Sequence, residues 1–226
     1  MQHGNVETGI RAIAAVLAAL LAPLSGSPAQ GSELANSSND FSGVQGAANW
    51  YYGYYQGDVL GGTFAQLPYY ISGSGWWAND TTAGNWPACS PAIWFDGGHP
   101  GSPGTTPRYA VRRWISTLTG TIRISGDWGD ADAGGGDGAT VAVRTPSGEV
   151  ASYAFGNGGA VVGYSVTTTV AVADTVDFVI DPVGNYFNDS TKFTAVIEAY
   201  GSPAISSLPA SGLATNAATL NGDLTS

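Results

Sequence analysis

From Tyr109 onward the chain alternates between apolar and polar positions with a period of two. Residues 119–125 set Ile122 and Ile124 on one face against Thr121 and Arg123 on the other. In 139–145, Val141 and Val143 fall in phase; in 149–155, Ala151, Tyr153 and Phe155 do. The runs 166–172 and 174–181 form a further pair, with Val176, Phe178 and Ile180 aligned in the second. Residues 192–200 align Phe193, Ala195, Ile197 and Ala199. Successive side chains of an extended strand point to opposite faces, so this pattern predicts antiparallel strands buried on one side. Turns such as Pro146-Ser147-Gly148 and Asn157-Gly158-Gly159 separate the runs. Beyond the amino-terminal segment no stretch carries a helical period. The pattern predicts an all-β, antiparallel two-sheet sandwich.

Other segments depart from this rhythm. Arg11 precedes the apolar stretch 12–24, and Ser27-Pro28-Ala29 supplies small residues for cleavage, so 1–29 reads as a signal peptide. The stretch falls short of the roughly 20 residues a spanning helix needs, and no later segment replaces it, so membrane insertion is not expected after cleavage. Glu7 leaves the segment ahead of Arg11 only weakly positive, which keeps an uncleaved anchor as the rival reading. Residues 30–40, small and polar, read as a flexible lead-in, and 41–200 as the ordered domain. Within it, 57–107 is rich in Gly and Pro and carries Trp76, Trp77, Trp86 and Trp94. From Ser202 the character changes again, through Pro203 and Leu208-Pro209 to Ala218-Thr219-Leu220-Asn221-Gly222. Residues 201–226 therefore read as a linker and the opening strands of a further domain, with a disordered tail as the alternative.

Charge narrows the partners. Lys and Arg total 7 against 17 acidic residues, a net charge of −10, which repels nucleic acid and anionic membrane surfaces. The apolar share of 43% is enough for a core, and 33 glycines with few charges suit many short strands rather than a helical bundle. Cys89 is the single cysteine, so no intrachain disulfide forms.

Several stretches resemble a secreted bacterial jelly-roll module of polysaccharide-handling and surface proteins. They are 41–46 (FSGVQG) with 50–55 (WYYGYY), 97–101 (GGHPG), 110–114 (AVRRW), 120–122, 136–141 (GDGATV), and 179–182 with Asn185 and 189–191. The resemblance implies a jelly-roll sandwich similar to carbohydrate-binding modules, appended to other domains of the same chain. The tail resembles the start of a fibronectin type III-like repeat. Asp130, Ala131, Asp132 and Ala133 lengthen the glycine-rich loop beyond the family pattern.

Candidate chemistry is sparse. His99 is the only histidine beyond the signal, which excludes a multi-histidine metal centre. There is no G-x-S-x-G elbow. Glu33, Glu149 and Glu198 are the only glutamates of the mature chain, and their placement does not suit a glycosidase pair. No enzyme is expected. Asp127, Asp130, Asp132 and Asp137 crowd one glycine loop, where carboxylates suit a structural calcium ion or form a solvated acidic turn. A second oxygen-rich turn, Asp181, Asn185, Asn188 and Asp189, resembles a turn of that family in its spacing and reads as Asx side chains capping backbone amides.

The aromatic block is the sharpest feature. On a strand, Trp50, Tyr52 and Tyr54 face one way and Tyr51 and Tyr55 the other. Only one face enters a core, so either some rings are exposed or the tryptophan-rich loop covers them. Exposed rings offer the flat apolar platform on which the C–H face of a sugar packs. The expected ligand residues are Trp50, Tyr52, Tyr54, Trp76, Trp77 and Trp86, and the expected partner is a neutral polysaccharide. Two functions stay open: a non-catalytic glycan-binding module of a secreted or cell-surface multidomain protein, or a structural or adhesive spacer without a small ligand.

Overall fold

The computed structural model describes residues 31–57, 62–79, 91–102, 106–132, 134–201, 204–214 and 217–225. The expected signal peptide 1–29, Trp86 and Cys89 lie outside them. The strands are β1 (Glu33–Asn36), β2 (Trp50–Gln56), β3 (Phe64–Gln66), β4 (Tyr69–Ile71), β5 (Gly75–Trp77), β6 (Ala92–Trp94) and β7 (Gly97–His99). They continue as β8 (Arg108–Ile115), β9 (Gly120–Asp130), β10 (Ala139–Thr145), β11 (Gly148–Phe155), β12 (Val162–Val170) and β13 (Thr175–Asp181). Last come β14 (Thr191–Phe193), β15 (Val196–Ala199), β16 (Ala204–Ala214) and β17 (Ala217–Thr225). One short 3-10 turn, Ala47–Asn49, precedes β2, and the described residues contain no α-helix.

Two antiparallel sheets form a sandwich-like arrangement. One runs β11-β10-β13-β8-β2-β3. The other runs β1-β15-β9-β14-β7-β6-β5-β4, with β12 on the free side of β9. In effect β14 and β15 are two pieces of one strand lying along β9, and β7 and β1 each pair with one piece. The break falls at Thr194, whose Oγ1 accepts from the Asp127 amide at 3.0 Å while its own amide donates to the Asp127 carbonyl at 2.9 Å. The sheets bury the residues whose alternation predicted them: Ile122, Ile124, Phe193, Ala195 and Ile197 from one, Val141, Val143, Val176, Phe178 and Ile180 from the other. Each fully buried side chain of this size contributes about 1.5–3 kcal/mol by leaving water.

The flexible lead-in is corrected at its centre. Residues 33–36 form the edge strand β1, paired through Ala35 to Ile197 and Asn36 to Val196. So short a strand shows no period in sequence. It ends in a polar turn where Asn36 Oδ1 accepts from the Ser38 and Asn39 amides. β16 and β17 pair with each other, and their register shifts between Leu208 and Ser211, where Pro209 has no N–H to donate.

β13 is buried on both faces, because the outward side of its sheet carries a second apolar group. Tyr55, Val111 and Val179 make it, with Phe64 and Tyr109 packed alongside.

Candidate functional site

The ring parity of β2 is as the sequence predicts, but the exposed platform is not there. Trp50 and Tyr52 are 0% exposed, Trp76 6% and Trp77 3%. Tyr52 stacks on Trp76 with centroids 5.8 Å apart, and Trp76 Nε1 donates to the Ser42 carbonyl at 2.8 Å. Trp50 packs on Phe178 at 5.7 Å. Tyr54 is half-buried against the core, with the Arg108 guanidinium 5.0 Å from its ring centre. The strands β4 and β5 fold over the inner face of β2, so these rings are core. Trp50, Tyr52 and Trp76 therefore cannot present flat faces to a ligand, and Trp86 lies outside the described residues.

What the same region does build is a cleft. The turn between β4 and β5 and the turn between β6 and β7 stand either side of a concavity of about 670 Å³. Phe41, Tyr70, Trp77, Trp94 and Phe95 supply its apolar walls, and Ser74, Asp96 and Ser190 its polar atoms. Phe95 is 57% exposed and Tyr70 40%, so two rings face solvent at the rim. Tyr70 leans on Trp76 with centroids 5.3 Å apart and lies 6.4 Å from Phe41, so its ring is braced from behind. Below the cleft, buried Arg112 holds the β6–β7 turn, donating to the Trp94 and Gly97 carbonyls and, at 3.2 Å, to Ser37. Burial lowers its pKa to about 10. The volume and the mixture of rings with a few polar groups fall within the range of small-ligand sites. Tyr70, Trp94 and Phe95 were not among the expected ligand residues. In the sequence Trp94 is one of four tryptophans in 57–107, and no period marks the three-residue strand that displays it.

The acidic loop is also rearranged. Asp127 stands on β9 opposite Gly163 and is exposed. Asp130 ends β9, with Oδ1 accepting from the Asp132 amide and Oδ2 from the Gly158 amide. Asp132 Oδ1 accepts from the Gly134 amide at 3.0 Å, and Asp137 is exposed. The residue that joins Asp130, Asp132 and Asp137 is Asp189, from the second oxygen-rich turn. Two other residues of that turn cap it: Asp181 Oδ1 accepts from the Val183 amide and Asn185 Oδ1 from the Phe187 amide, each at 2.9 Å.

No family model, curated protein or solved structure matches the chain. The reading of its function therefore rests on its own residues.

Three of the groups considered for acid–base work have partners in the fold. Glu198 is ion-paired to Arg123 at 2.6 Å and Glu149 to Arg144 at 3.2 Å. His99 donates from Nδ1 to the Pro100 carbonyl, and burial lowers its pKa. Among the described residues no helix is long and apolar enough to cross a membrane.

Proposed function

We propose that the chain is a non-catalytic glycan-binding module of a secreted or cell-surface multidomain protein, a jelly roll akin to carbohydrate-binding modules. The β16–β17 ladder fits the opening of a further, fibronectin type III-like domain. The observation that carries the reading is the aromatic cleft, not the aromatic block. Tyr70 and Phe95 offer ring faces at its rim for the C–H face of a sugar, and Asp96, Ser74 and Ser190 offer acceptors and donors for hydroxyls. With a net charge of −10 the partner is a neutral polysaccharide rather than a sulfated or uronate polymer.

Binding at one such site is weak. A few stacked rings and rim hydrogen bonds support a free energy of about −4 to −8 kcal/mol, a millimolar to micromolar dissociation constant. Titration of the chain with neutral oligosaccharides, followed by tryptophan fluorescence, tests this through Trp77 and Trp94 in the cleft wall. Phe95→Ala removes an exposed ring without opening the core. It should weaken binding about two- to thirteenfold, the loss of about 0.5–1.5 kcal/mol of stacking, with the fold intact. Burial of the Trp50, Tyr52 and Trp76 rings favours the second reading, a structural or adhesive spacer. That reading prevails if no neutral oligosaccharide moves the fluorescence.

A further inference from the structure

We propose that Asp189, together with Asp137, Asp132 and the Phe187 carbonyl, binds a divalent cation of the size of calcium. The starting point is a buried charge without a partner. Asp189 is 1% exposed, and among the described residues neither of its carboxylate oxygens has a hydrogen-bond donor. An ionised carboxylate accepts up to about four hydrogen bonds, and leaving one buried and bare is among the costliest arrangements in a folded chain.

Its surroundings make the problem worse. The charged side chains acting on Asp189 are Asp137, Asp130 and Asp132, all of its own sign. Such a group either holds a proton or has a cation beside it. A divalent ion would attract all four carboxylates and cancel two of their charges, where a proton cancels one.

The glycine loop brings its backbone beside Asp189 and the Phe187 carbonyl oxygen. Gly136 has a positive φ of 87°, and a Cβ there would stand 2.2 Å from the Phe187 carbonyl oxygen and 3.2 Å from Asp189 Oδ1. Those two oxygens thus both face the Gly136 backbone, which can approach them so closely only because residue 136 is glycine. The donors are all oxygens, from turns rather than regular strands, which suits a hard cation with flexible coordination. Among the described residues no three acidic, histidine or cysteine side chains already stand together as a finished cage. Binding the ion would require the exposed Asp137 and the half-exposed Asp132 to turn onto it from the solvent side. Asp130 shapes the loop through its two backbone acceptor contacts and adds charge.

The test uses the whole chain, stripped with chelator and then given calcium alone. At a hundredfold excess over its dissociation constant, calcium should raise the melting midpoint by roughly 5–10 °C, and chelator should reverse the rise. Terbium should show luminescence sensitised by the protein's aromatic rings and displaced by calcium. Asp189→Asn should abolish both responses, Asp137→Asn should weaken calcium binding about tenfold or more, and Asp127→Asn should leave it unchanged. If Asp189→Asn does not fold, Asp137→Asn decides the matter. The proposal is overturned if the stripped chain shows neither response, or if Asp137→Asn binds as tightly as the parent. It is overturned equally if Asp189→Asn folds and still binds, or is more stable than a parent indifferent to calcium, since Asp189 is then simply a buried protonated acid.

Discussion

Arg112 and Arg113 stand side by side on β8, and the pleat sends them to opposite faces of the sheet. Arg112 turns inward, where its hydrogen bonds run to backbone carbonyls of the cleft-forming turns and of Ser37. Arg113 turns outward and pairs with Asp177 at 2.6 Å, while the Tyr55 hydroxyl donates to the same carboxylate at 2.6 Å. Burial, then Asp177, raises the Tyr55 pKa above its ordinary value of 10.0, and burial raises that of Tyr164 as well. In the unfolded chain both phenols ionise near pH 10, so as pH climbs past that point the unfolded state releases its protons first. The stabilisation is complete below pH 10 and is lost as pH rises through the folded values. Urea unfolding measured across the alkaline range should show stability falling above about pH 10, and more gently in Tyr164→Phe. Phenolate absorbance that reached its full amplitude before any loss of circular dichroism would contradict this.

At the scale of elements, the cleft depends on backbones that approach closely. A Cβ at Gly97 would stand 2.0 Å from the Thr191 carbonyl oxygen, so β7 lies against β14 only because residue 97 is glycine. Core and cleft residues of this region should separate cleanly in stability measurements. Trp76→Ala empties a buried position stacked on Tyr52 and should cost about 3–5 kcal/mol. Phe95→Ala, at an exposed rim, should change stability by less than about 0.5 kcal/mol. Denaturant midpoints of the two variants give the comparison, and equal losses would mean that Phe95 is part of the core.

The molecule as a whole carries ten more negative than positive charges, from 17 acidic and 7 basic residues. If the cleft takes an uncharged sugar, its affinity should be nearly independent of ionic strength, because no charge is neutralised on binding. Uronate oligomers of the same length should bind more weakly at low salt and recover as salt screens the repulsion. Isothermal titration at two salt concentrations separates the cases, and a neutral sugar released by salt would argue against the assignment. The same acidity concentrates beside the cleft: Ala131 lies between Asp130 and Asp132, Ser190 follows Asp189, and Ala131 and Ser190 line the cleft wall.

The long strands were legible without coordinates. Residues 139–145 alternate over seven positions, and the core uses Val141 and Val143 as that alternation requires, since the pleat sends neighbouring side chains to opposite faces whatever the topology. The parity of the Trp50–Tyr55 block was legible for the same reason. Whether its inner face met solvent or protein was not, because the strands that cover it, β4 and β5, are three residues each and carry no period. The acidic group shows the same division. Asp127 and Asp130 both lie on β9, but Asp127 is held within the ladder opposite Gly163, while Asp130 ends the strand at the glycine loop. Asp189 arrives from a distant turn because β14 pairs with β9 through Thr191 and Asp130. Local alternation is a property of the backbone and can be read in one dimension. Which faces are covered, and which charges meet, depends on contacts between segments far apart in the chain, and only folding brings those together.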